Sequence, residues 1–375
     1  MKFVAVFKNL FATDFANFAD HSRAAPRGPG CVTIKLMLRM ALVLLMLIPL
    51  CAAGDRPASQ DQEPQFSVSV NLIKVPISVF DGKGSLVTDL RRENFRIWED
   101  QAPQSIRSFG VDVNPVSVVM LLDTSMSEKS ELKKIREAAG GFIEALSRGD
   151  RVSILTFDDE VYQLLDWTDD LKKARRTLGR LRNGWRTALY DAMYVAAQDQ
   201  LKDIEGRKAI ILLTDCLNNQ SSVDFKDASL AIVQSQASLY VVSKTVMVRE
   251  QAKSQRRVVI MTDIYKRLFG SDENYIEEFF KKRETEMSSL SEQTGGRSFF
   301  PGDYDEIKHV YEDVAHELKS KYYLTYVSNQ NLQPNSYHRI SIEYLAPASK
   351  VIYRKGYYHQ PRSVYRRIPT AGFAD

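Results

Sequence analysis

The rhythm of apolar and polar positions changes three times along this chain. Met40–Leu50 is almost continuously apolar and runs into Cys51-Ala52-Ala53-Gly54, after a basic stretch that closes at Lys35 and Arg39. Residues 54–65 are polar, proline-containing and aperiodic, as a linker is. From Phe66 the pattern alternates in steps of two, with Phe66, Val68, Val70 and Leu72 on one face, and Asp81-Gly82-Lys83-Gly84 supplies a turn. Apolar clusters continue through Leu86, Val87, Phe95, Ile97, Trp98, Ile106 and Phe109, so residues 66–112 read as a small β-rich module.

After Asn114-Pro115 apolar runs alternate with amphipathic helices, which predicts a parallel sheet with crossover helices. Residues 117–123 form a run suited to burial on both faces, and Leu132, Ile135, Ala139, Phe142, Ile143 and Leu146 follow at helical spacing. Further strands are expected at Val152–Phe157, Ala209–Thr214, Ala237–Ser243 and Arg297–Phe300. Helices are expected at 170–181, after Thr187, at 272–294 and around Ile307, Val310, Tyr311, Val314 and Leu318, while the basic stretch 246–270 has no assignable pattern. β-type segments close the chain at Tyr322–Val327, His338–Tyr344 and Lys350–Tyr358, before a basic tail at 359–375. The expected fold is α/β, a doubly wound and mostly parallel sheet over 115–327. A C-terminal β segment at 328–358 is expected to join the N-terminal strands in one flanking β module.

Charge changes this picture only at the N-terminus. The 51 Lys and Arg against 47 Asp and Glu leave +4, and residues 1–53 carry all of it: Lys2, Lys8, Arg23, Arg27, Lys35 and Arg39 against Asp14 and Asp20. The remainder is neutral, which argues against nucleic acid as partner. The basic, apolar and small-residue layout of residues 1–53 is that of a secretory signal peptide, with Met37 or Met40 as a more ordinary start. The apolar run is shorter than the roughly 20 residues of a spanning helix, so a membrane anchor is the lesser reading. The expected location is outside the cytoplasm: periplasmic, cell-surface or extracellular. Of three cysteines, Cys31 and Cys51 lie in the leader, and Cys216 alone cannot form an internal disulfide.

The densest chemistry lies in Leu121–Ser127, where Asp123, Ser125 and Ser127 follow an apolar strand and precede a helix. Ligands bind open α/β sheets at the carboxyl ends of strands, and one carboxylate with two hydroxyls suits Mg²⁺, Mn²⁺ or Ca²⁺. The same residues also suit simple capping of a helix N-terminus. Two further elements bear on the choice: Thr187 at the head of a helix, and Asp215 at the end of the strand Ala209–Thr214.

With these, residues 115–327 resemble the von Willebrand factor type A fold and its metal-ion-dependent adhesion site. The resemblance implies Ser125, Ser127 and Thr187 as hydroxyl ligands, with Asp123 and Asp215 binding directly or through water. The leading β segment, Thr294-Gly295-Gly296-Arg297, residues 321–327 and Arg354–Tyr358 also look like an exported family related to this domain. The chain departs from the pattern at two places. Trp185 and Arg186 stand before Thr187 where small glycines are usual, and Cys216 follows Asp215 where glycine is common. Trp185 could be an exposed contact or a packed anchor; Arg186 could grip a partner carboxylate, repel the cation or be a solvated loop charge. Cys216 is expected to be a small buried side chain.

Only two of the five implied ligands are carboxylates, so a bound cation, Mg²⁺ foremost, would keep charge and an open position for an Asp or Glu of a protein partner. This points to a non-enzymatic, adhesion-type binding protein. The alternative is a structural assembly protein that binds through its β module and keeps only a vestigial site. A metal-dependent hydrolase is a weaker reading: Ser125 stands where a dehalogenase-type phosphotransferase needs its second aspartate, and the motifs of serine hydrolases, zincins and P-loops are missing. Arg148-Gly149-Asp150 reads as a turn, His309 and His316 as surface residues, and Tyr322, Tyr323 and Tyr326 mainly as core packing.

Overall fold

The computed structural model describes residues 71–125, 129–254, 273–347 and 350–359. The leader, the linker, Phe66, Val68, Val70, Ser127 and nearly all of the tail lie outside the described residues. The chain divides into two compact units, Met1–Ser67 and Val68–Asp375, and every described residue belongs to the second.

In chain order the elements are β1 (Leu72–Phe80), β2 (Phe95–Glu99), β3 (Ala102–Gln104), β4 (Ile106–Val111), β5 (Val116–Asp123), α1 (Lys129–Ala145), β6 (Arg151–Phe157), β7 (Val161–Thr168), α2 (Leu171–Thr177) and α3 (Leu189–Val195). They continue with β8 (Arg207–Thr214), α4 (Phe225–Ser235), β9 (Ser238–Ser243), α5 (Thr245–Ser254), α6 (Glu273–Gln293), β10 (Ser298–Phe299) and α7 (Tyr304–Ser320). Four strands close the chain: β11 (Tyr322–Val327), β12 (Tyr337–Tyr344), β13 (Lys350–Tyr353) and β14 (Gly356–Tyr358).

Six strands form one sheet in the order β10-β9-β8-β5-β6-β7, parallel except for β7. Every residue of central β5 is buried, and its side chains feed two cores in alternation. Val118, Met120 and Leu122 meet Ile135 and Phe142 of α1 and Tyr311 of α7. Val119 and Leu121 lie in the other core, with Leu189 and Met193 of α3 and Ile232 of α4. This is the doubly wound α/β sheet expected from the unbroken apolar runs, because a strand covered on both faces has no polar side to show. Strand β7 was not anticipated. It is an antiparallel edge strand in which only Leu165 is buried, and its apolar residues, with Leu164 and Leu165 side by side, keep no period of two.

The remaining strands form two antiparallel sheets, β13-β1-β11-β4 and β14-β12-β2-β3. They share a core of Val75, Ile77, Val79, Phe95, Ile97, Ile106, Leu324, Tyr326, Ile340 and Tyr357. Both ends of the chain therefore build one β module. Three details differ from the sequence expectation. Strand β11 pairs with β1 and β4 rather than joining the parallel sheet, so the stretch assigned to 115–327 gives its last strand to the module. The segment Lys350–Tyr358 is two strands in two different sheets. The buried face of β1 includes Val75, Ile77 and Val79, whereas Leu72, the one described residue of the expected face, is 57% exposed.

Two short motifs clasp the module to the α/β part. Thr294 bridges to Arg354, and the Lys355 amide donates to Gln293 O at 2.9 Å. Gly295, at φ +76°, lies so close that a Cβ would sit 2.6 Å from the Arg354 nitrogen. Beside them Glu317 Oε1 accepts from Ser78 Oγ (2.9 Å), Tyr240 OH (3.0 Å) and Lys321 Nζ (3.4 Å), a buried polar knot joining β1, β9 and the end of α7. The Arg148-Gly149-Asp150 tripeptide is a turn: Gly149 has φ +94°, and the buried Asp150 carboxylate accepts from the amides of Val116 and Ser147. The stretch 246–270 begins as helix α5, and residues 255–270 lie outside the described residues.

Candidate functional site

The carboxyl ends of β5 and β8 lie side by side because the two strands pair in parallel register, Leu122 opposite Leu213. Asp123 closes β5 and Asp215 follows β8, so two strands buried at their carboxyl ends deliver two carboxylates to one edge of the sheet. Asp123 is 0% exposed, and both of its carboxylate oxygens accept hydrogen bonds. Its Oδ1 accepts from the Ser125 amide (3.0 Å) and hydroxyl (2.5 Å), and its Oδ2 from Thr214 Oγ1 (3.1 Å) and the Asp215 amide (3.3 Å). Asp215 Oδ1 accepts from the Leu217 amide at 3.0 Å. Burial, together with the charge of Asp123, pushes the Asp215 carboxyl up to about 6.

A third loop arrives from before α3. Ser125 bridges to Gly184, whose amide donates to Thr124 O at 3.2 Å. Gly184 is required here, since a Cβ would stand 2.3 Å from the Cβ of Asp158. Thr187 is 3% exposed and is fixed through its backbone: its amide donates to Asn219 Oδ1 (2.9 Å), and its carbonyl accepts from the amides of Asn219 and Gln220. The loop after Asp215 thus holds Thr187 beside the strand ends. Ser221 Oγ accepts from the amides of Tyr190 and Asp191, securing the first turn of α3.

Of the five sequence-derived ligand positions, Asp123, Ser125, Thr187 and Asp215 lie on these three converging loops, and Ser127 lies outside the described residues. Trp185 is 81% exposed, an outward residue rather than a packed anchor. Arg186 is also exposed, but its amide donates to Asp159 Oδ1 and its guanidinium to Gln220 Oε1, both at 2.6 Å. Cys216 is fully buried with its Sγ 3.5 Å from Ser243 Oγ, and burial pushes the thiol up to about 12. It adopts φ +61°, the left-handed conformation that glycine accepts at no cost and a cysteine does not. Sequence reading missed Thr214, Asn219 and Lys244. The first two position ligands through hydrogen bonds that no motif spacing records, and Lys244 directly follows the next strand, its amide donating to Thr214 O.

The donors fit a hard divalent cation. They are oxygens only, they include two carboxylates, and the one nearby sulfur is a buried thiol pushed up to about 12 with its Sγ 3.5 Å from Ser243 Oγ. Among the described residues no three His, Cys, Asp or Glu side chains gather as a metal cluster, so hydroxyls must complete such a site.

A second constellation invites comparison with a charge-relay triad. Ser336 Oγ lies 2.6 Å from His338 Nε2, and His338 Nδ1 lies 2.7 Å from Asp100 Oδ2. Ser336 Oγ also lies 2.6 Å from Gln333 O, which can only accept. The single hydroxyl proton goes there, so the serine accepts from the imidazole and is no activated nucleophile. The set ties the β2–β3 turn to β12. His309 and His316 are exposed on α7.

Residues 118–218 match the family model of the von Willebrand factor type A domain. With the six-stranded, mostly parallel sheet flanked by helices, the chain carries a von Willebrand factor type A domain. No curated protein matches the chain. Among solved structures it is similar to the conserved hypothetical protein BatB from Bacteroides thetaiotaomicron, at 24% identity over 34% of this chain and 66% of that one, with a TM-score of 0.30. It is similar to the vWF domain of the type V pili tip protein Mfa5 from Porphyromonas gingivalis, at 24% identity over 31% of this chain and 44% of that one (TM-score 0.28). Proximal thread matrix protein 1 from the mussel byssus, solved with zinc in its MIDAS motif, is 14% identical over 59% of this chain and 49% of that one (TM-score 0.42). The chain spans less than two thirds of the length of each.

Proposed function

We propose that this is an exported, adhesion-type binding protein whose A domain holds a divalent cation, Mg²⁺ foremost, and takes up an Asp or Glu side chain of a protein partner. The observation that carries the reading is the convergence of Asp123, Ser125, Thr187 and Asp215 on three loops at the carboxyl edge of one sheet. Those residues and Ser127 would hold the ion. When bound, the ion supplies a positive centre with a position open to a carboxylate. The chain's own part is to fix the donors before binding. Asp123 is locked by four hydrogen bonds, and Thr187 is clamped by Asn219. Exposed Trp185 offers an apolar contact next to the site. Export rests on the signal-like leader; among the described residues no helix is long and apolar enough to cross a membrane.

The test is calorimetric titration of Mg²⁺ and Mn²⁺ into the full chain beside Asp123→Asn, which keeps an acceptor for Ser125 and removes the charge. One ion bound by the wild type and none by a variant of unchanged fold supports the reading. A wild type that binds neither ion, or a variant that binds as well, overturns it.

A further inference from the structure

A surface of one charge sign leads into the site. Between Asp170 and Asp191 the chain holds seven basic residues, from Lys172 to Arg186, and no Asp or Glu, although residues 54–375 as a whole are neutral. All seven are exposed. Helix α2 and the turn after it bury Ala174, Thr177 and Leu178 and leave Lys172, Lys173 and Arg176 outside; Leu181 is then buried between exposed Arg180 and Arg182. The fold gains little from this arrangement. Lys172 and Lys173 occupy the first turn of α2, where the helix dipole favours anions, and Lys172 with Arg176 is a like-charge pair at i,i+4. Arg175 pairs with Glu144 of α1, and both side chains are more than half exposed. Among the described residues the side chains of Lys172, Lys173, Arg176, Arg180 and Arg182 have no hydrogen-bond or ion-pair partner. The acids nearest the two ends are engaged by backbone instead: Asp170 Oδ1 accepts from the Lys173 amide at 2.9 Å, and Asp159 Oδ1 from the Arg186 amide at 2.6 Å.

This basic strip ends at the converging loops. Arg182 stands two residues before Gly184, which bridges to Ser125, so its Cα is within about 7 Å of the Gly184 Cα. Trp185, 81% exposed, follows at once. Resting on the metal reading above, we propose that the partner is an acidic polypeptide segment, which gives one carboxylate to the cation and lays its further Asp and Glu side chains along the strip from Arg182 to Lys172. The chemistry of the strip selects this occupant. Guanidinium groups grip carboxylates in bidentate fashion, and Arg and Trp are the side chains that most often dominate a protein interface. A lone acid on a neutral partner meets only the cation, whereas a run of acids meets the strip as well. The strip thus decides which of many exposed carboxylates is held. Its cations are solvated before binding, so their contribution falls as salt rises.

The experiment follows binding of a fluorescein-labelled octaglutamate peptide to the full chain in Mg²⁺, by fluorescence anisotropy. The strip variant Arg176→Glu/Arg180→Glu/Arg182→Glu reverses three cations without partners. The control Lys83→Glu/Arg107→Glu/Lys319→Glu reverses three exposed cations elsewhere and carries the same net charge. The strip variant is expected to bind roughly 10-fold or more weakly than wild type, the effect of three surface ion pairs. The control should stay within about 3-fold of wild type, and raising NaCl from about 0.05 to about 0.3 M should weaken wild type more than the strip variant. Arg182→Gln alone should lose about 2-fold, which keeps the test sound if the triple variant melts lower than wild type. Equal weakening in strip variant and control, or no peptide binding by a wild type that takes up Mg²⁺ in calorimetry, overturns the strip while the metal reading stands. Strip-dependent binding that is unchanged in EDTA upholds the acidic partner and overturns the cation's part in holding it. Capture by phosphatidylglycerol vesicles without binding of the peptide would make the strip a membrane contact and overturn the proposal.

Discussion

Replacing Asp215 by asparagine removes a charge that the metal-free protein holds at a cost. The carboxyl is pushed from 3.8 to about 6, by burial first and by Asp123 second. That rise corresponds to roughly 3 kcal/mol. Because the folded-state value lies above the unfolded one, the folded protein binds this proton more tightly than the unfolded chain does. The contribution is complete below the unfolded value of 3.8 and is lost as pH rises through about 6. Above that pH the ionised carboxylate destabilises the fold by up to the full figure. Asparagine stays neutral and keeps an Oδ1 acceptor for the Leu217 amide. In EDTA at pH 7.5, Asp215→Asn should therefore melt higher than wild type, by about 6 °C if each kcal/mol is worth ~2 °C in a unit of this size. The gap should close near pH 4. Thermal melts of both proteins across this range check it; an equal gap at both pH values, or a variant that melts lower at pH 7.5, would refute the electrostatic account of the site.

Two further outcomes follow from buried groups. Glu317→Ala leaves Lys321, itself 3% exposed, without its carboxylate and deprives Ser78 and Tyr240 of their acceptor. A loss of about 3–5 kcal/mol is expected in urea unfolding, with a smaller loss for Glu317→Gln; a loss under ~1 kcal/mol would mean the knot contributes little. The Cys216 thiol, fully buried and pushed up to about 12, should resist iodoacetamide at pH 8 in the native protein and react once urea unfolds it. Fast native labelling would show that the loop after Asp215 opens readily.

The sequence by itself determined the α/β layering and the residues at the strand ends. An apolar run such as Val116–Asp123 can only be a strand covered on both faces, and the polar residues that end it must lie at the sheet edge where open α/β folds bind ligands. Asp123 and Asp215 were legible for that reason, Ser125 by its spacing after Asp123 and Thr187 by its place at the head of a helix. Local pattern says nothing, however, about which distant segments pair. Strand β11 follows α7 like any strand of the parallel sheet, and only its pairing with β1 and β4, over 200 residues earlier, makes it part of the module. Edge strand β7 was hidden because its apolar residues keep no period of two. The left-handed backbone of Cys216 and the outward Trp185 were decided by tertiary structure alone. Each depends on which loops meet at the sheet edge, and those meetings are set by packing across the whole fold rather than by the residues on either side.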